Sequence, residues 1–284
     1  MAFQIQDIAY VKKTNLIKIG VVKKKKLFFV RKMIFYPNAK INIGLNIISK
    51  RKDGYHNLNS IFYPIFNVYD ILEVIKSKKF EFTTSGLALD CIAEKNLCYK
   101  VYSYFKEKYD IQNIKIHLHK NIPIGSGLGG GSSDAAFTIK AINNLFKLGL
   151  NINELELISA KIGSDCPFFI SNKPKYVTGT GDILSDIDLN LSNYNIQLYT
   201  PKIKISTRDA FVKILPNQNN EGKIIENISK PMHWWKNYIL NDFERLHNVN
   251  SEIIKIRQTA YDNGAIYASM TGTGSAVYAI FEKN

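Results

Sequence analysis

The stretch NIPIGSGLGGGSSDAAFTIKAINNLF, residues 121–146, constrains the fold more than any other. Glycine stands at 125, 127, 129, 130 and 131, Ser132 and Ser133 follow, and then comes a run of apolar residues at helical spacing. The preceding IKIHLH alternates apolar and polar, as a half-buried strand does. A loop stripped of side chains between a strand and a helix is not a linker. It lets something approach the backbone. Amides freed by glycine, aligned with the positive end of a helix, make a cradle for an anion. Ser132, Ser133 or Asp134 is expected to cap that helix, which should run to about Leu148.

Three kinds of anion loop compete. A Walker loop needs Lys-Ser/Thr after its last glycine, and Ser132-Ser133 stand there instead. Gly125, Gly127 and Gly130 do satisfy the dinucleotide fingerprint G-x-G-x-x-G. That fold then wants a second parallel strand ending in an acid ~20 residues on, but residues 149–162 read as another helix and Pro123 interrupts the entry. The third fits best. PIGSGLGGGSSDAA resembles the P-x-x-x-G-L-G-S-S loop of the GHMP small-molecule kinases. NAKINIGLNIISKRKDGYHNLNSIF (38–62), GSDCPFF (163–169) and TGTGSAVYAIF (271–281) resemble further blocks of that family, in the right order. They narrow the resemblance to the branch whose alcohol substrate carries a cytidine nucleotide. The likeness covers about Phe35 to Phe281, and the block ending in Gly54-Tyr55-His56 is its specific part.

The rest of the chain reads as mixed strands and helices without a βαβ rhythm, so an α+β fold is expected. AKINIGLNI alternates: Ile41, Ile43, Leu45 and Ile47 point one way, Lys40 and Asn42 the other, giving a half-buried strand with a polar face. Asp53-Gly54 should turn it into a hairpin with SIFYPIF, and YDILEVI should add a further strand. NLCYKVYSYFKEKY, NINELELISAKIG, STRDAFVKI, WKNYILNDFERLHNV and SEIIKIRQTAYDNG read as helices. DCPFFI and PKYVTGTGDIL read as strand and turn, IQLYTP as a strand, and the TGTG turn lies between two closing strands. The resemblance implies two domains with the active-site cleft between them: residues 33–185, which bind ATP, and 186–284. Its members usually continue with a further helix and strand beyond this chain's end, so the second domain is expected to be truncated.

The net charge of +14 invites a nucleic-acid reading, but residues 1–32 alone supply +8 of it, leaving +6 for the remainder. No basic stripe interleaved with aromatics stands out, so nucleic acid is not an expected partner. Four consecutive lysines in that leader break any signal-peptide core; it is expected to be a disordered or non-native extension, with the domain starting near Met33. No apolar run reaches the ~20 residues of a membrane span, and Cys91, Cys98 and Cys166 form no disulfide or zinc spacing. A soluble cytoplasmic protein, monomeric or weakly dimeric, is expected.

The resemblance assigns roles. Asp165 becomes the base that takes the acceptor alcohol's proton; from the residues alone, a cap ahead of Pro167 is as good a reading. Lys40 becomes its partner, where the alternative is a surface lysine with its stem lying along apolar surface. Asn42, Tyr55, His56, Thr207 and Phe211 become the substrate contacts, with Tyr55 stacking on cytosine and His56 pairing with its edge. Thr207 and Phe211 share a helical face by spacing. Pro123, Gly125, Gly127, Leu128, Gly129, Gly130, Gly131, Ser132 and Ser133 form the ATP loop. Asn96 and Lys120 stand near it, although Lys120 also reads as a solvated strand end. Mg²⁺ accompanies ATP in the family, but no metal-ligand cluster is evident here; His117 and His119 share a strand face and read as ordinary strand residues. Trp234 and Trp235 should pack the second domain. The rival readings are another GHMP kinase, for mevalonate, homoserine or a sugar, and a basic RNA-binding module.

Overall fold

The computed structural model describes residues 32–89, 92–246 and 251–283, so the basic leader up to Arg31, and Cys91, lie outside the described residues. The first part holds β1 (Met33–Phe35), β2 (Asn38–Lys50), β3 (His56–Tyr69), β4 (Ile71–Lys76), β5 (Glu81–Gly86), α1 (Leu97–Tyr109), β6 (Ile114–Lys120), α2 (Gly130–Phe146), α3 (Ile152–Ala160), α4 (Cys166–Ser171), β7 (Lys175–Thr178) and β8 (Ile183–Asp186). Then follow β9 (Tyr194–Tyr199), α5 (Thr207–Lys213), α6 (Lys223–Asn227), α7 (Met232–Tyr238), α8 (Ser251–Asp262), β10 (Tyr267–Met270) and β11 (Val277–Glu282). Among the described residues three sheets form, in the orders β1-β4-β6-β5, β2-β3-β7-β8 and β10-β11-β9. Their ladders are antiparallel except the β5–β6 pair, which α1 crosses over. The α+β expectation holds.

The long β2–β3 hairpin turns at Asp53-Gly54 as the sequence predicts. Gly54 takes φ +87° there, and Tyr55 N–H donates to Asp53 Oδ1. The expected polar face of β2 is not at the surface. Ile41, Ile43, Lys40, Asn42 and Asn46 are all buried. A bulge at Gly44, φ +67°, shifts the register between Ile43 and Leu45 and reverses which way later side chains point. Ile41 and Ile43 therefore join a cluster with Leu128, Trp235, Tyr267 and Tyr278, while Leu45 and Ile47 join a separate core with Phe62, Phe168 and α2 residues. Simple alternation cannot see that reversal.

β2 is an edge strand, and later parts of the chain satisfy its free backbone groups. Tyr278 Oη donates to the Asn42 carbonyl, Leu45 N–H to the Leu240 carbonyl, and Ile47 N–H to Asp242 Oδ2. This brings the C-terminal TGTG turn beside Lys40 and Asn42.

Three local expectations are corrected. DCPFFI is a helix, α4, because Pro167 suits a first turn and Phe168, Phe169 and Ile170 all find buried sites. WKNYILNDFERLHNV is not one helix: α7 ends at Tyr238 and a 3₁₀ turn begins at Asp242, since the chain between must extend to pair with β2. The cap of α2 is Gly129, at φ +72°, with no side-chain cap bond, so Ser132, Ser133 and Asp134 lie inside the helix. Trp235 is buried against Tyr267 as expected, whereas Trp234 is half-exposed and stacks on Tyr238.

Candidate active site

The glycine loop contains two kinds of glycine. A Cβ on Gly127 would come within 2.1 Å of the Thr271 carbonyl oxygen, one on Gly129 within 3.0 Å of Lys40 Cγ, and one on Gly130 within 2.9 Å of Ile122. These three permit close packing. A Cβ on Gly125 or Gly131 would meet nothing within 4 Å. Both face open space; Gly125 also takes φ +68°, a conformation that favours glycine, whereas at Gly131, inside α2, a ligand's approach is the remaining reason for a bare backbone.

That space is a cavity of about 370 Å³, a size suited to a small molecule. Pro123, Gly125, Gly127, Gly129, Gly130, Gly131, Ser132, Asn96 and Lys120 line it, joined by Asp134. Two residues expected in the cradle do not reach it. The Leu128 side chain is buried in the β2 cluster and only its carbonyl is engaged, accepting from Lys40 N–H at 2.9 Å. Ser133 is fully buried, and its hydroxyl finds no hydrogen-bond partner among the described residues. Asn96 caps α1, accepting from Cys98 N–H. A larger concavity of about 730 Å³, lined by residues such as Gln197, Asn263 and Phe281, contains none of the predicted site residues.

Lys40 and Asp165 come together at the cradle's edge, with Lys40 Nζ 3.8 Å from Asp165 Oδ2. Lys40 is buried, so it is not a surface lysine. Its ammonium donates to Asn42 Oδ1 and lies 4.5 Å from the centre of the Phe62 ring. Burial pushes its pKa below the usual lysine value, and the Asp165 carboxylate opposes that. Asp165 stands at the N-cap position of α4 but makes no side-chain cap bond. Its carboxylate remains partly accessible, at 31% of full side-chain exposure. A carboxylate half in solvent and held beside a buried cation can accept a proton from a bound alcohol.

Asn42 is fixed from several sides. Its N–H donates to Thr271 Oγ1, its amide donates to Ser60, and Thr271 Oγ1 also donates to the Gly127 carbonyl. Thr207 meets Thr273 of the same turn at 3.1 Å. One helical turn along α5, the Phe211 ring lies 5.6 Å from His56. Burial, with Lys50 nearby, pushes the His56 pKa below the ordinary histidine value, which keeps the ring neutral with one donor and one acceptor nitrogen. Tyr55, by contrast, is 66% exposed. The TGTG turn thus links the cradle, the Lys40–Asn42 strand and the α5 face.

Lys120 is not a solvated strand end. It is buried, and its ammonium contacts the carboxylates of Asp70 and Asp134, the latter at 2.7 Å. Asp70 also accepts from the N–H groups of Asn121 and Ile122. Sequence reasoning missed Asp70, Asp134 and Thr271. Nothing local marks a buried charge cluster whose members come from three separate segments. His117 and His119 hydrogen-bond through Ser85, and among the described residues no group of three or more His, Cys, Asp or Glu side chains could hold a metal ion.

An anion cradle at a helix start, with a carboxylate and a buried ammonium beside it, defines the class: a small-molecule kinase. Residues 96–173 match the GHMP kinases N terminal domain and residues 225–284 the GHMP kinases C terminal model. The 4-diphosphocytidyl-2-C-methyl-D-erythritol kinase of Azobacteroides pseudotrichonymphae genomovar. CFP2 is 47% identical, over 88% of this chain and 94% of its own. That of Parabacteroides distasonis is 46% identical, over 88% and 92%. A crystal structure of 4-(cytidine 5'-diphospho)-2C-methyl-D-erythritol kinase superposes with a TM-score of 0.73 at 25% identity, covering 87% of this chain and 90% of that one. The mevalonate kinase of Methanococcus jannaschii shares the fold at a TM-score of 0.67 and 17% identity. The chain belongs to the 4-diphosphocytidyl-2-C-methyl-D-erythritol kinase family of the GHMP kinases.

Proposed function

We propose that this protein transfers the γ-phosphoryl group of ATP to the 2-hydroxyl of 4-diphosphocytidyl-2-C-methyl-D-erythritol. The observation that carries the reading is the meeting of Lys40 and Asp165 at the edge of the glycine cradle. The identity to relatives bearing that kinase's name supports the choice of substrate.

Phosphoryl transfer asks for position and for matched charge rather than for covalent work by the protein. The amides of residues 129–132 and the positive end of α2 hold the triphosphate, with Gly125 and Gly131 leaving room for it. Asp165 accepts the alcohol proton as the oxygen–phosphorus bond forms. Lys40 sits beside that carboxylate and offsets charge developing on the transferred group. Asn42 holds the alcohol beside them. Tyr55 stacks on the cytosine face, and the neutral His56, backed by Phe211, pairs with its edge; Thr207 completes that side. Residues 33–185 supply the nucleotide site, and residues 186–284 close the substrate side through the TGTG turn and α5.

Mg²⁺ is proposed to arrive on the nucleotide. The described residues offer no cluster of metal ligands for it. We further read the protein as cytoplasmic, monomeric or weakly dimeric, and without a nucleic-acid partner. Cys98 and Cys166 are unpaired thiols, and among the described residues no helix is long and apolar enough to cross a membrane.

The test is direct. Purified protein, ATP, Mg²⁺ and the cytidyl substrate should give a new phosphomonoester by ³¹P NMR. Mevalonate, homoserine and galactose should give none. Turnover of one of those three, with none of the cytidyl compound, would replace this reading with a different kinase.

A further inference from the structure

Beneath the cradle lies a charge cluster that the proposed chemistry does not use. Lys120 at the end of β6, Asp70 between β3 and β4, and Asp134 in α2 are each buried. Lys120 is clamped between the two carboxylates. Its ammonium lies directly under the start of α2, where a Cβ on Gly130 would come within 3.3 Å of Nζ. Asp70 is fully engaged by Lys120 and two backbone amides. Asp134 is not: Oδ2 accepts from Lys120, but Oδ1 is buried with no hydrogen-bond partner among the described residues, in a residue that lines the nucleotide cavity.

We propose that Asp134 is a positioning residue for the nucleotide: acting through Lys120, it ties the start of α2 to the β6 strand end, and the proton state of its unpartnered oxygen sets how tightly the cradle takes a polyphosphate. The inference rests on the reading of the cradle as the ATP site. A buried carboxylate oxygen with no donor is costly when ionised and is eased by a proton. With all three groups ionised the cluster carries a net negative charge next to the incoming phosphates. With a proton on Asp134 it is neutral.

The groups around Asp134 leave it as the one that changes. Burial is the largest influence on Asp134 and pushes its pKa up to about 8; Lys120 opposes this and Asp70 adds to it. Burial lowers the Lys120 pKa, but the two carboxylates outweigh that and hold the ammonium above its usual value. Cys98, facing from α1, is pushed far up by burial and stays a neutral thiol. A bound polyphosphate favours the neutral cluster, so binding draws a proton onto Asp134 and affinity falls as pH rises through about 8. For a group of that pKa, the fall between about pH 7 and pH 9 has a ceiling of roughly tenfold.

The experiment is calorimetric titration of the whole protein with ADP, whose own phosphate charge is settled above a pKa of about 6. Wild type should bind three- to tenfold more weakly at about pH 9 than at pH 7, and at about pH 8 should take up roughly half a proton per ADP, read from buffers of differing ionisation enthalpy. Asp134→Asn keeps an acceptor for Lys120 and cannot titrate. Its affinity for ADP should be the same at pH 7 and pH 9, with no proton uptake. An equal pH slope in both proteins overturns the proposal. So does an absence of proton uptake in wild type, a measurement that stands even if the variant does not fold. If ADP fails to bind wild type at any pH, the nucleotide reading of the cradle falls as well.

Discussion

Replacing Gly127 with alanine tests the contact between the two glycine turns that assembles the site. Gly127 takes φ +82°, and a Cβ there would lie 2.1 Å from the Thr271 carbonyl oxygen and 2.9 Å from its carbon. Both neighbours are backbone, so no side chain can rotate away. The left-handed conformation costs alanine about 1–2 kcal/mol. Relief of the clash must separate residues 126–128 from 271–276, which strains the bonds from Thr271 Oγ1 to the Gly127 carbonyl and from Ala276 N–H to the Ser126 carbonyl, each 3.1 Å. Losing them costs about 1 kcal/mol apiece. The total is roughly 3 kcal/mol, a fall in Tm of roughly 5–10 °C for a chain of this size. Turnover should fall too, because Thr271 also holds the Asn42 N–H beside Lys40. Differential scanning calorimetry and steady-state kinetics measure both. Gly131→Ala is the contrast. It lies in helix α2 and its Cβ meets only open space, so stability should hold or rise by up to about 1 kcal/mol while the KM for ATP climbs. If Gly127→Ala melts within a degree of wild type, the two turns do not touch as described.

Tyr55→Ala should raise the KM for the cytidyl substrate roughly tenfold, the loss of one stacked base, with Tm unchanged because the ring is 66% exposed; an unchanged KM would remove Tyr55 from the site. Asp134→Asn should also change the pH dependence of stability. A carboxyl whose folded pKa is raised to about 8 stabilises the fold while protonated, and that contribution is lost as pH rises from its unfolded value through about 8. The variant should therefore gain Tm relative to wild type at about pH 9 and much less at pH 5, by calorimetry. Lys40→Met keeps the buried stem and removes the ammonium that meets Asp165; kcat should drop by roughly 10²-fold or more, with folding retained.

The cradle was legible in the sequence because its signal is local: glycine spacing, a strand before it and a helix after it. The Asp53-Gly54 turn was legible for the same reason. The β2 strand was half legible. Its alternation located Lys40 and Asn42 on one side, but the Gly44 bulge and the burial of both faces depend on residues about two hundred positions away. DCPFFI reads as strand and turn in the sequence because PFFI is a short apolar run whose periodicity is ambiguous; tertiary burial makes it the helix α4. Asp134 looked like a helix cap from its place after the serines. Only the structure puts Lys120 across from it and leaves its second oxygen without a donor among the described residues.

We propose that the Asp165 carboxylate, held beside a buried Lys40, takes the proton from the acceptor alcohol. Single-turnover phosphorylation of the cytidyl substrate by Asp165→Asn, alongside ATP binding, tests it most directly. The rate should be lower by roughly 10²–10⁴ with ATP affinity kept. A variant that phosphorylates its substrate at close to the wild-type rate would contradict it.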